Sequence, residues 1–156
     1  MKCSLCNSKT SSFFKTITKE YFKCNNCDAI CMNPLNYVTE IQEIKRYTEH
    51  NNDINDIRYQ NFVNPIVKSV LADFDTTNNG LDFGCGTGPV ITKLLRDKNY
   101  TITTYDPFFE NNLESLKTTY NFIVCCEVIE HFHQPLKEFK LLKSLLKPSG
   151  KLYCMT

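Results

Sequence analysis

Residues 81–88 read LDFGCGTG, an apolar run that breaks into glycines at 84, 86 and 88. Eighteen residues after Gly88 comes Asp106 of YDPFF, at the end of a β-branched run, TITTY. Strand, glycine turn, helix, second strand and an acid at its tip form the layout of a nucleotide site on a parallel sheet. The glycines let the chain turn sharply and remove side chains, so that backbone N–H groups can approach a ligand. Asp106 then stands where a carboxylate accepts from both hydroxyls of a ribose. Asp82, just before the loop, is expected to point into the same crevice.

The surrounding pattern agrees with an α/β chain. From Thr39 to Phe74 the periodicity is helical, with Ile41, Ile44 and Tyr47 three apart and Ile54, Ile57, Phe62, Ile66, Val70 and Phe74 spaced by three to five. Asp53 is the expected cap of the second helix, and Pro65 is expected to kink or split it. After the turn-rich DTTNNG, strands are expected at 81–83, 101–105, 122–126 and from 151, with helices at 89–96 and 136–147, the latter stopped by PSG. Such alternation calls for a Rossmann-like, mostly parallel sheet with helices on both faces. A last strand at the end of the chain is an exposed edge, so the sequence reads as a fragment; the other reading is a second copy covering that edge in a homo-oligomer.

LDFGCGTG, then YDPFF, then FIVCCEVIEHF resembles the first motif, the second-strand acid and the fourth-strand region of class I S-adenosylmethionine-dependent methyltransferases. The resemblance covers about residues 60–156. It implies S-adenosylmethionine as cofactor, with the loop along its methionine and ribose and Asp106 on the ribose hydroxyls. Asp82, Gly84, Cys85, Gly86, Gly88, Asp106 and Glu127 are the candidate cofactor residues. The span from Asp106 to Phe122 is too short for the family's usual helix, third strand and adenine-side acid, and Phe108 and Phe109 are offered as a stacking face instead. The closing hairpin that ends the family's sheet is also missing, so the fold is expected to be incomplete there. An NAD enzyme would need GxGxxG, which this chain lacks.

Glu127, Glu130 and His131 follow the apolar strand FIVCC, at the carboxyl end of a central strand. They are the candidate catalytic residues. ExxEH is similar to the metal-binding segment of small-RNA 2′-O-methyltransferases and of quinol O-methyltransferases, which implies a second divalent cation at Glu127, Glu130 and His131. Other class I methyltransferases carry such strings without metal, with the Glu orienting a loop and the His packed. As the general base, His131 or His133 would take the acceptor's proton. Cys125 and Cys126 are read as packed strand residues.

Nine cysteines include Cys3-x2-Cys6 and Cys24-x2-Cys27, seventeen residues apart. Two such knuckles supply four thiolates to a tetrahedral, structural Zn²⁺, and Cys31 is left over. Residues 1–35 hold too few large apolar side chains to fold unaided, so zinc is expected to provide that folding energy. The domain reading is a zinc ribbon over 1–35, a helical linker or lid over 36–75, and a methyltransferase core over 76–156. Arg46, His50, Asn51, Arg58 and Tyr59 are polar candidates for a cover over the acceptor pocket.

No apolar stretch nears the roughly 18 residues a membrane span needs, and no secretory leader is visible. With reduced CxxC pairs this places the chain in the cytoplasm. The chain's net charge of +1 argues neither for nor against a nucleic-acid partner. Residues 1–35, however, set five Lys against Glu20, Asp28 and the −2 of a four-thiolate zinc site, which is not the basic patch RNA phosphates want, so a small-molecule acceptor is favoured over RNA. The rival reading is a Rossmann-like module that binds a nucleoside or a partner and transfers nothing.

Overall fold

In a computed structural model, which describes residues 1–49 and 53–156, the amino-terminal segment forms an antiparallel sheet of β1 (Thr10–Lys15), β2 (Glu20–Cys24) and β3 (Ile30–Met32). Its apolar residues stay largely outside: Phe13, Phe14 and Ile17 are exposed. Within residues 1–35 only Cys3 and Cys24 are buried. The interior of this segment is therefore a cluster of sulfurs, too small to hold three strands by apolar burial alone.

Helix α1 (Glu40–Glu49) and helix α2 (Ile57–Asp73) follow. On α1 the inward face is Glu43, Ile44 and Tyr47, while Ile41 is exposed. The expected stripe starting at Ile41 is thus rotated, and it carries a carboxylate. Asp56, not Asp53, caps α2, its Oδ1 accepting from Arg58 N–H at 2.9 Å. Asp53 instead closes the turn before it, accepting from Asn55 N–H at 2.8 Å. Pro65 does not split α2, which runs unbroken through it. Its buried stripe is Val63, Ile66, Val67 and Val70, the i, i+3, i+4, i+7 spacing of one helix face, while Ile57 and Phe62 remain exposed.

The second sheet contains β4 (Asn79–Phe83), β5 (Thr101–Tyr105), β6 (Tyr120–Cys126) and β7 (Leu146–Met155), all parallel, in the order β5-β4-β6-β7. Helix α3 (Val90–Arg96) joins β4 to β5, and helix α4 (Pro135–Ser144) joins β6 to β7. Residues alternate between the two faces, as a pleated strand requires. Phe122 and Val124 of β6 pack with α2 and α3, whereas Ile123 and Cys125 pack with Leu142 beside α4's end. Helices therefore cover both faces, as expected. Between β5 and β6 there is only a 3-10 turn at Leu113–Lys117 and no third strand, which leaves β5 as the sheet edge among the described residues.

PSG does not stop α4. The helix ends at Ser144, and the chain enters β7 at Leu146, with a register shift between Tyr120 and Phe122 absorbing residues 147–150. Ser149 takes the left-handed conformation there, and Lys147 Nζ donates to Asn79 Oδ1 and Asn121 Oδ1 at 2.6 and 2.9 Å, pinning the strand starts together. No helix among the described residues is long and apolar enough to cross a membrane.

Candidate active site

Chain direction out of β4 splits: β5 lies on one side and β6 on the other. Such a switch point opens a crevice beyond the carboxyl ends of the strands. The glycine loop sits there and is tied to the tip of β5. Gly84 and Cys85 N–H groups donate to Tyr105 O at 2.7 and 3.2 Å, and Gly86 N–H donates to Asp106 Oδ2 at 3.0 Å. Asp106 Oδ1 accepts from Phe108 and Phe109 N–H at 2.9 and 3.1 Å.

Gly84 and Gly86 both have positive φ, +79° and +61°. A Cβ at Gly84 would lie 2.5 Å from Val128 Cγ2, so the loop must be bare to pass the EVIEH segment. A Cβ at Gly86 would meet nothing within 4 Å, because that side faces open space. The space is a cavity of about 340 Å³, within the usual range for small-molecule sites.

Gly84, Cys85, Gly86, Asp106, Glu127 and His131 all line it, which brings together most of the candidate residues. Phe108 lines it as well, but Phe109 does not. Gly88 and Asp82 are not in its wall. Asp82 faces the other way, buried against α3, where its Oδ2 accepts from Thr92 Oγ1 at 2.7 Å. Burial pushes its carboxyl up to about 6. Leu81 and Phe83 face the α4 side, so Asp82 between them must face α3.

Sequence reasoning missed Glu43. It is buried on α1, and its Oε1 lies 3.6 Å from His131 Nδ1 and accepts from Tyr47 OH at 3.5 Å. His131 Nε2 lies 4.0 Å from Glu130 Oε1, so the imidazole stands between two carboxylates. Ile44 and Tyr47 give the only sequence hint, since Glu43 shares their helix face. Of the lid candidates, Tyr59 lines the cavity, while Arg58 turns outward to Asp56 at 2.9 Å. Arg46 reaches a neighbouring cavity, and His50 and Asn51 lie outside the described residues.

The first cavity is acidic. Glu43, Asp106, Glu127 and Glu138 line it, with His131 and His133, and no Lys or Arg among the described residues. Burial, reinforced by Glu43 and Glu130, raises the Tyr47 phenol well above its usual value. Burial also pushes the thiols of Cys85 and Cys126 up to about 12, helped by nearby carboxylates. Both therefore stay protonated near neutral pH and are not nucleophiles.

Glu127, Glu130 and His131 do not converge as a cation site. Among the described residues, the one group of three or more potential metal ligands within mutual reach is Cys3, Cys6, Cys24 and Cys27. EVIEH folds as a 3-10 turn at Ile129–His131, and Glu127 leaves the strand with φ 56°. The four cysteine sulfurs lie within 4.8 Å of one another, with Cys3–Cys27 at 3.8 Å and Cys6–Cys24 at 3.4 Å. A tetrahedron of Zn–S bonds of about 2.3 Å sets its sulfurs about 3.8 Å apart, so the donor set fits such an ion.

Two curated relatives, both described as ubiquinone biosynthesis O-methyltransferase and both from Actinobacillus pleuropneumoniae (serotype 5b strain L20 and serotype 7 strain AP76), are 28% identical over 95 residues. The match covers 58% of this chain and 41% of each relative, so the chain spans well under two thirds of their length. A family profile described as a methyltransferase domain matches residues 40–156, taking in α1 and α2 with the parallel sheet. The glycine loop, Asp106 and the EVIEH segment all lie inside that match, and the chain belongs to the methyltransferase-domain family.

Proposed function

We propose that this protein transfers a methyl group from S-adenosylmethionine to an oxygen of a small-molecule acceptor, a nitrogen being the second choice. The acidity of the glycine-loop cavity carries the reading. Four carboxylates and no Lys or Arg among the described residues would repel a dinucleotide's diphosphate but suit a cationic sulfonium. The open face of Gly86 and the carboxylate of Asp106 fit the donor's ribose side. When bound, the donor supplies an electrophilic methyl group. The chain's own task is to hold the acceptor in line with it and to remove a proton. His131, whose Nδ1 lies 3.6 Å from Glu43 Oε1, is the base, with Glu127 and Glu130 beside it. Oxygen is preferred because the relatives are named O-methyltransferases.

In this reading residues 1–35 form a zinc ribbon, 36–75 a cover, and 76–156 the transferring core. Calorimetry tests it with S-adenosylmethionine and NAD as competing ligands. S-adenosylmethionine should bind and NAD should not, and Asp106→Asn should weaken binding by about tenfold for one charge-assisted hydrogen bond lost. Preference for NAD, or binding indifferent to Asp106, refutes the assignment.

A further inference from the structure

Beside the first cavity lies a second, of about 510 Å³. The two share Glu43, His131, Phe132 and His133, so they meet at the base assigned above. Beyond that junction the second cavity adds one carboxylate, Glu130, and two cations. Lys19 and Arg46 line the second cavity and not the first. Among the described residues neither is in a salt bridge: Lys23 pairs with Asp28 and Lys45 with Glu49, but Lys19 and Arg46 pair with nothing.

The walls carry aromatic rings from both ends of the chain. Tyr37 stacks on His133 with ring centroids 4.4 Å apart and planes at 11°. Tyr21 of β2 and Phe139 of α4 add two more rings. Aromatic rings in a wall favour an aromatic, and hence planar, guest. Two cations without an ion-pair partner among the described residues, together with Glu43 and the half-buried imidazole of His131, give that guest an anion contact and a proton acceptor in one cavity.

We propose that the second cavity holds the methyl acceptor, and that the acceptor is a flat small molecule with a hydroxyl and an anionic group. The hydroxyl points to His131, and the anion lies against Lys19 and Arg46. This rests on the methyltransferase reading of the adjoining cavity. In the transfer the hydroxyl's proton passes to His131, and its oxygen forms the new C–O bond as the S–CH₃ bond breaks. The products are a methyl ether and S-adenosylhomocysteine. The cysteine segment then does more than stand nearby, because Ser4, Leu5 and residues 29–32 complete the acceptor's wall.

The test is calorimetry on the full chain, first with S-adenosylhomocysteine, then with hydroxynaphthoate and its neutral counterpart naphthol on the preloaded protein. Hydroxynaphthoate should bind about tenfold more tightly than naphthol, the size expected for two solvent-screened charge contacts. Lys19→Ala with Arg46→Ala should erase that difference. The same variant should leave S-adenosylhomocysteine affinity unchanged, which also shows that it is folded. Equal binding of the two probes, no binding of either, or a charge preference that survives the double variant overturns the proposal. Failure of S-adenosylhomocysteine to bind wild type would instead remove the parent reading and the proposal with it.

Discussion

Replacing Asp82 by Asn should change how stability depends on pH. The carboxyl is buried in the centre of the sheet, 4% exposed, and burial raises it from 3.8 to about 6. A group raised on folding contributes stability that is complete below its unfolded value and is lost as pH rises through its folded value. A shift of about two units corresponds to about 3 kcal/mol lost between about pH 4 and pH 7. Asn cannot ionise, so this fall disappears in the variant. Asn can still accept from Thr92 Oγ1, but its amide cannot replace both carboxylate oxygens, which adds a constant offset of about 1 kcal/mol. Urea unfolding of both proteins across this range isolates the difference in slope, because protonation elsewhere affects both alike. Parallel curves would refute the reasoning. Donor affinity should be the same in both, since Asp82 faces α3; a large loss would mean the side chain faces the cavity after all.

Cys24→Ser removes one of two buried cysteines of the sulfur cluster, and metal analysis should show one zinc per wild-type chain and none retained by the variant. Full retention would refute the four-sulfur assignment. Gly84→Ala combines a left-handed residue with a clash on Val128, so unfolding experiments should show a loss of about 2–4 kcal/mol. Adding Val128→Ala should return the steric part and leave the strain, and additive effects would show that the two side chains do not meet.

What the sequence revealed was local. TITTY fits β5 residue for residue, and the glycine loop and Asp106 stand together because strand, turn and acid are neighbours in the chain. Strand parity could have turned Asp82 away from the cavity, but a sheet covered on both faces offers no polar side to mark the direction. Ile41 was expected inside because it completes an apolar triplet; Glu43 is buried instead, since its partner His131 arrives from a distant segment. Asp53 and Asp56 both close turns through their carboxylates, and composition cannot say which turn continues into a helix. β7 was entered later than it begins because PSG reads as a break, whereas the bulge at 147–150 carries the strand through it.

Asp106 has a further consequence for how a ligand would be received. Three backbone N–H groups already fix its carboxylate, two from the turn that follows it and one from Gly86. The rotamer entropy of that side chain is therefore spent during folding, not on association. A sugar's hydroxyls would meet an acceptor group whose direction is preset, so the loop and the β5 tip should superpose between free and bound forms. Docking at this corner would then be rigid, with Gly84 bare for clearance from Val128.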